Sequence, residues 1–217
     1  MMDTLAARQQ MVDQQIRTWE VLDPRVLDAL SEVPREAFVP PEYRELAFAD
    51  TPIPIGFGQT MLAPKLQGRI LQALGPGAGD SALEVGSGTG YLAAALSLLC
   101  ASTHSIDIHP GLIEAASANI RAVPNARVQF ELRDAFGAAP LKEYDVVAVT
   151  GSLPVYDTRF ERSLRVGGRL FVIVGSAPVM DAILVRRVDN QEWIRESLFE
   201  TVVEPLINAV AAQRFVF

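Results

Sequence analysis

The sequence has little cysteine and histidine, and it lacks long apolar runs. The single cysteine, Cys100, excludes an intrachain disulfide and fits a reducing compartment. The two histidines, His104 and His109, belong to no set with metal-ligand spacing, so we predict no metal site. The apolar runs end too early to span a bilayer. The first ten residues lack the basic-then-apolar layout of a signal peptide, so we expect a cytoplasmic protein without membrane association.

Positive charge is also scarce. The chain carries 19 Lys and Arg residues against 26 Asp and Glu residues, which gives a formal net charge of −7. Proteins that bind nucleic acids neutralise phosphates with a basic face, and no Lys/Arg cluster is evident along this chain. The sequence therefore predicts no nucleic-acid partner. It leaves the oligomeric state open.

The order of the predicted elements indicates an α/β protein. Helical spacing covers residues 2 to about 30, with a helix start at Asp23-Pro24, and a further helix covers 64–74. Strands are predicted at 82–85, 103–106, 128–132, 146–150 and 169–174, separated mostly by helices at 91–100, 111–121 and about 157–164. This alternation predicts a doubly wound, mostly parallel, Rossmann-like sheet with helices on both faces. Segments 181–188 and 193–203 predict a C-terminal antiparallel hairpin.

The 217 residues are expected to form one domain. Within it, residues 1–75 form an N-terminal helical and loop extension, and residues 76–217 form the α/β core. The proline-rich segment 51–58 cannot be a central strand, because proline has no N–H to donate to a neighbouring strand.

A glycine-rich turn between a predicted strand and a predicted helix is the most specific local pattern. Residues 83–91 read Leu-Glu-Val-Gly-Ser-Gly-Thr-Gly-Tyr, and glycines allow bare backbone to approach a nucleotide-like ligand. A dinucleotide fingerprint would need glycine where Tyr91 stands. The pattern resembles motif I of the S-adenosylmethionine-dependent methyltransferases. The alternative is a turn that binds nothing. The resemblance implies cofactor contacts from Glu84, Gly86, Ser87, Gly88, Thr89, Gly90 and Tyr91.

Two further acidic residues follow predicted strands. Asp107 lies where the ribose-binding acid is expected, since a carboxylate accepts hydrogen bonds from two vicinal hydroxyls. Asp134 follows the third strand, and the methyltransferase resemblance puts it near the adenine. Their neighbours Ile108 and Ala135 are expected beside the cofactor. Each acid has an alternative: Asp107 caps the turn before Pro110, and Asp134 caps a helix that begins at Ala135.

Residues 8–176 resemble the protein-L-isoaspartate O-methyltransferases. The resemblance rests on Val-Pro-Arg-Glu-Ala-Phe-Val-Pro at 33–40 and on Asp-Thr-Pro-Ile-Pro-Ile-Gly-Phe-Gly-Gln-Thr at 50–60, besides motif I. A weaker likeness is the ending Arg-Phe-Val-Phe at 214–217. The resemblance implies an S-adenosylmethionine-dependent enzyme that methylates an isoaspartyl carboxylate of a peptide or protein, the first step of its repair. Such a carboxylate is ionised at neutral pH and needs no general base.

The chain departs from this family in the loop expected to bind the methyl acceptor. Family members carry a serine after Gln-Thr-Ile, and this serine is expected to hydrogen-bond the substrate carboxylate. Here Leu62 follows Gln59, Thr60 and Met61, and Lys65 stands where a histidine is usual. In an extended segment Thr60 points the same way as Leu62 and would partly substitute for the serine. We therefore expect Gln59 and Thr60 at the cofactor, and Thr60 and Leu62 at the acceptor.

These departures keep other functions open. A more apolar pocket formed by Met61 and Leu62 would favour a small hydroxyl, amine or thiol compound as methyl acceptor. A third possibility is a regulator that binds S-adenosylmethionine without catalysis. Lys65 either pairs with a carboxylate or is solvated. Gly151-Ser152, after the fourth strand, either forms a tight turn or presents a hydroxyl to the substrate.

Overall fold

The computed structural model describes residues 4–138 and 141–211, so the C-terminal residues 214–217 compared above lie outside it. Its α-helices are α1 (Thr4–Met11), α2 (Pro24–Glu32), α3 (Pro64–Leu74), α4 (Tyr91–Leu99), α5 (Pro110–Asn119) and α6 (Thr158–Glu161). Its strands are β1 (Ile53–Gly56), β2 (Gln59–Met61), β3 (Ser81–Val85), β4 (Ser102–Asp107), β5 (Val128–Leu132), β6 (Tyr144–Leu153), β7 (Leu164–Ser176), β8 (Val179–Asp189) and β9 (Glu192–Thr201).

Seven of these strands form one sheet in the order β5-β4-β3-β6-β7-β8-β9. Neighbouring strands pair in parallel across the first five positions of this order, β5-β4-β3-β6-β7. Strand β8 is antiparallel to both β7 and β9. The predicted doubly wound, mostly parallel sheet with a C-terminal antiparallel hairpin is confirmed. The strand order reverses between β3 and β6, and in open α/β sheets such a reversal opens a crevice at the carboxyl ends of the strands.

The central strands are apolar at consecutive positions because both faces of the sheet are covered. Val146 and Ala148 of β6 pack into one cluster with side chains of α2, α3 and α4. Their neighbours Val147 and Val149 point to the other face and pack with Phe160 of α6. None of the described helices combines the length and the apolar character that a membrane crossing requires.

The N-terminal helical region is interrupted before its second helix. Helix α1 continues into a π-helical turn and a 3₁₀ turn, and Glu20 then adopts a left-handed φ of 61°. Asp23 begins α2 as predicted: its Oδ1 accepts the backbone N–H of Arg25 at 2.9 Å, and Pro24 occupies the first helical position. Helix α3 has its predicted bounds.

Two segments have structures that the local sequence pattern did not fully predict. The helix predicted at about 157–164 is shorter, because Leu164 already belongs to β7 and pairs with Tyr144 of β6. The proline-rich segment does form a strand, β1, but it pairs only with β2 in a separate two-stranded sheet. This placement is consistent with the exclusion of proline from the centre of the main sheet.

Candidate active site

A cleft opens at the carboxyl ends of β3, β4, β5 and β6. Three successive crossovers bring these strand ends together, although they are far apart in the chain. The β1–β2 hairpin and the segment after β9 complete the wall. The lining residues that carry the argument below are Gln59, Thr60, Leu62, Gly86, Gly88, Asp107, Asp134, Gly151, Glu204 and Leu206.

The glycine turn after β3 is shaped by contacts that exclude side chains. Gly86 has a φ of 98°, and a Cβ there would clash with Oγ1 of Thr150. That hydroxyl lies 3.0 Å from the carbonyl oxygens of Val85 and Gly86 and shares its one hydrogen between them, so it ties β6 to the turn. Gly90 has a φ of 86°, and its Cβ would lie 3.0 Å from the Cβ of Ala116 in α5. Glycine is therefore required by conformation and by close packing.

Asp107 lies in the wall of the cleft and also orders the backbone around it. Its Oδ1 accepts the N–H of His109 at 2.9 Å, and its Oδ2 accepts the N–H of Gly88 at 3.1 Å. Asp107 therefore does cap the turn before Pro110, as one alternative predicts, and its side chain also lines the cleft. Because Asp107 bonds the glycine turn directly, it couples the ends of β3 and β4.

Asp134 likewise lines the cleft and also accepts hydrogen bonds from neighbouring segments. Its Oδ1 accepts the N–H of Phe136 at 2.8 Å, and its Oδ2 accepts the Nδ2–H of Asn208 at 2.9 Å. The residues after Asp134 form a turn, so the alternative that it caps a helix beginning at Ala135 is wrong. The side chain nevertheless caps that turn from within the wall of the cleft.

The predicted cofactor residues divide into two groups. Gln59, Thr60, Gly86, Gly88, Asp107, Ile108, Asp134 and Ala135 lie in the wall, whereas Glu84, Ser87, Thr89, Gly90 and Tyr91 lie behind it. Glu84 is only 1% exposed and accepts the Ser105 hydroxyl at 2.5 Å. Burial raises the pKa of Glu84 to about 8. Tyr91 packs edge-on against Phe38, in the core cluster formed with the N-terminal helices.

Residues 59–65, which the sequence predicts to bind the methyl acceptor, place Thr60 and Leu62 in the cleft and Met61 outside it. Met61 pairs with Ile53 and faces the core, so the expectation that it contributes to an apolar acceptor pocket is wrong. Thr60 Oγ1 donates to Oε2 of Glu204 at 2.8 Å. Nζ of Lys65 lies 2.7 Å from Oδ2 of Asp50, so Lys65 pairs with a carboxylate, as one of its two alternatives predicts.

A segment that the sequence did not single out closes one side of the cleft. We call residues 203–208 the C-terminal strap. The N–H of Ser152 donates to the carbonyl of Glu204, and the N–H of Leu206 donates to the carbonyl of Ser152, both at 2.9 Å. Gly151 and Ser152 belong to β6, and the Ser152 hydroxyl is buried against the carbonyl of Val203 at 3.2 Å. Neither alternative proposed for Gly151-Ser152 is therefore correct.

Arg35 supports the backbone of Leu62 from the core. Its guanidinium is fully buried and donates to the carbonyl oxygens of Ala47 and Leu62, both at 2.8 Å, and to Oε1 of Gln67. Burial lowers the pKa of Arg35 to about 10, which still leaves it charged at neutral pH. The Val-Pro-Arg-Glu segment thus carries a residue that fixes Leu62, and its sequence context alone does not reveal this role.

Within residues 4–138 and 141–211, no group of three or more His, Cys, Asp or Glu side chains is placed to hold a metal ion. Cys100 is a free thiol that follows α4, and burial raises its pKa to about 12.

The sheet order, the glycine turn after β3 and the acid that ends β4 define the fold of an S-adenosylmethionine-dependent methyltransferase. Comparison with known proteins gives the family. The family model for protein-L-isoaspartate(D-aspartate) O-methyltransferase (PCMT) matches residues 6–211, and the chain belongs to this family. It is therefore an S-adenosylmethionine-dependent methyltransferase.

Individual relatives agree with this assignment. A protein-L-isoaspartate O-methyltransferase of Methanoregula boonei is 37% identical over 201 residues, covering 92% of each chain. Another from Staphylothermus marinus is 34% identical over 210 residues, covering 92% of this chain and 93% of the relative. A Plasmodium falciparum chain assigned to the same activity was solved with S-adenosyl-L-homocysteine. It superposes with a TM-score of 0.79 at 18% identity, over 92% of this chain and 97% of that one, and it supports the fold.

Proposed function

We propose that the cleft binds S-adenosylmethionine along the ends of β3, β4 and β5. Gly86 and Gly88 supply bare backbone, and Asp107 accepts hydrogen bonds from the ribose hydroxyls. The observation that supports this role is the geometry of Asp107. Each of its oxygens accepts one backbone N–H, and a carboxylate oxygen has room for a second hydrogen bond. Asp107 is therefore fixed in position and still able to bind vicinal hydroxyls.

The adenine end of the site is proposed at Asp134 and Ala135, with Ile108 beside the ribose. Asp134 is held by Phe136 and by Asn208 of the C-terminal strap. A carboxylate so held keeps lone pairs for an exocyclic amino group. Glu84, Ser87, Thr89, Gly90 and Tyr91 act in this proposal by shaping the turn from behind. Thr60 and Leu62 mark the acceptor end, and Gln59 joins the two regions.

For the methyl acceptor we propose the isoaspartyl carboxylate of a peptide or protein, as the names of the relatives describe for themselves. When bound, S-adenosylmethionine supplies an electrophilic methyl group. The protein holds the acceptor oxygen in line with that group and excludes water around it. Leu62, Val203 and Leu206 give the wall the apolar surface that this exclusion requires. Protein repair in a reducing cytoplasm is the biological role we propose, and the unpaired Cys100 is consistent with it.

Leu62 supports a second candidate acceptor. Because its side chain has no hydrogen-bonding group, a small hydroxyl, amine or thiol compound is an alternative substrate for the same scaffold. A cofactor-binding regulator is the non-enzymatic alternative.

The deciding experiment measures transfer of a labelled methyl group to an isoaspartyl peptide, with the normal aspartyl peptide as control. Transfer to the isoaspartyl form alone supports the proposal. Leu62→Ser restores the hydroxyl of the family, and Leu62→Ala removes the same bulk without adding one. Activity that arises only in Leu62→Ser would show that the natural acceptor of the wild-type chain is a different compound. Cofactor binding without transfer to any offered acceptor would favour the regulator.

A further inference from the structure

Glu204 brings a carboxylate to the acceptor end of the cleft. It is the second residue of the C-terminal strap and lies in the wall together with Thr60 and Leu62. Its backbone carbonyl is fixed by the N–H of Ser152, and its Oε2 is fixed by the Thr60 hydroxyl. Backbone and side chain are therefore both held, so the position of this negative charge is a property of the fold.

The Thr60–Glu204 hydrogen bond changes what the acceptor end offers to a substrate. A hydroxyl has one hydrogen, and Thr60 donates it to Glu204. Leu62 has no hydrogen to donate. The two positions expected to bind an acceptor carboxylate therefore provide no donor for it, and Glu204 adds a negative charge beside them.

The charge of Glu204 has no counter-ion in the described protein. Among the ion pairs formed within residues 4–138 and 141–211, none includes Glu204. Both oxygens of Asp107 and of Asp134 accept N–H groups, whereas the Glu204 carboxylate accepts the Thr60 hydroxyl at Oε2. Glu204 is only half-buried, so its remaining oxygen is accessible to a ligand.

We propose that Glu204 is a specificity residue that pairs with a cationic side chain of the substrate. An anionic acceptor entering this part of the cleft meets a like charge, which is unfavourable unless a cation lies between the two. A lysine or arginine next to the isoaspartyl residue supplies that cation. This inference rests on the proposed function, and it predicts a preference for isoaspartyl peptides with a basic neighbour.

The test uses three isoaspartyl peptides that differ only in the flanking residue, which is lysine, glutamine or glutamate. We expect a KM about fivefold lower for the lysine peptide than for the glutamine peptide, with similar kcat, as for one partly exposed charge pair. The glutamate peptide should have the highest KM. The differences should shrink at high salt, since exposed charges are screened.

Two variants assign the effect to Glu204. Glu204→Gln keeps an oxygen that can accept the Thr60 hydroxyl and removes only the charge, so the KM values of the three peptides should converge. Glu200→Gln removes an exposed charge of β9 outside the cleft wall and should keep the wild-type preference.

Three results would overturn the inference. Equal KM values for the three peptides in the wild type would overturn it and leave the proposed function intact. Glu204→Gln could instead weaken binding of S-adenosylmethionine but not of S-adenosylhomocysteine, which lacks the sulfonium charge; Glu204 would then serve the cofactor. Absence of transfer to all three peptides would reject the isoaspartyl acceptor and this inference together.

Discussion

Arg35 donates an Nη2 hydrogen to the carbonyl oxygen of Leu62 at 2.8 Å. This contact joins the N-terminal helical region to the wall of the cleft, and it fixes the backbone of Leu62. The guanidinium lies within the core, 4.9 Å from the ring centre of Tyr91. A charged side chain so deep in a protein is retained only when its donors are satisfied.

Replacing Arg35 should therefore destabilise the whole chain. Arg35→Leu would leave the buried carbonyl oxygens of Ala47 and Leu62 without a donor, and we expect a loss of about 3 kcal/mol in the free energy of unfolding. Urea denaturation measures it. Arg44→Leu, at an exposed position, is the control and should change the stability little. Similar losses in both variants would contradict the supporting role of Arg35.

Asp107→Asn should weaken cofactor binding with a smaller effect on stability. The amide retains one acceptor oxygen but loses the charge that strengthens hydrogen bonds to ribose hydroxyls, so the Kd for S-adenosylhomocysteine should rise about thirtyfold. Titration calorimetry is the measurement. Asp145→Asn is a matched control, because Asp145 also accepts a backbone N–H, from Ser81 at 2.8 Å, but lies outside the cleft wall. An unchanged Kd in Asp107→Asn would remove it from the cofactor site.

The raised pKa of Glu84 predicts how the free energy of unfolding changes with pH. Burial raises its pKa from 4.5 to about 8, so the folded state favours the protonated form. The contribution of Glu84 to stability is therefore complete below about pH 4.5 and is lost as the pH rises through about 8. Glu84→Gln removes this dependence while keeping a neutral side chain of the same shape. Thermal melting of the two proteins should show a Tm advantage of the variant that grows between about pH 5 and pH 8.5. A pH-independent difference would contradict the raised pKa.

The proposal of a single domain can be tested at Gly68 of α3. A Cβ there would lie 2.7 Å from Cγ2 of Ile16 and 3.2 Å from Cγ2 of Val21, so Gly68→Ala overpacks the contact between α3 and the N-terminal segment. We expect a loss of about 2 kcal/mol in one cooperative transition of the whole chain. Gly79→Ala, with nothing within 4 Å of the added Cβ, is the control. A separate early transition of the N-terminal region would show that residues 1–75 form a domain of their own.

Local patterns predicted the elements that local chemistry controls. The bounds of α3 and β5 match, since both are set by nearby prolines, glycines and apolar spacing. The start of α2 at Asp23-Pro24 matches for the same reason. The shortened α6 does not, because pairing of Leu164 with Tyr144 overrides the helical spacing there. Periodicity describes neighbours along the chain and carries no information on strand partners.

The sequence by itself determined the class of protein: the glycine turn, the acid that ends β4 and the alternation of strands and helices are local features with few physical solutions. Only the tertiary structure decided which side chains meet in the wall of the cleft. It brought Glu204 to Thr60 across 144 residues and Asn208 to Asp134 across 74. These contacts depend on how the C-terminal strap folds back over the strand ends, and that path is set by packing and by hydrogen bonds to Ser152. The cofactor class therefore follows from the motif, whereas the place of the Glu204 carboxylate in the cleft wall follows from the fold.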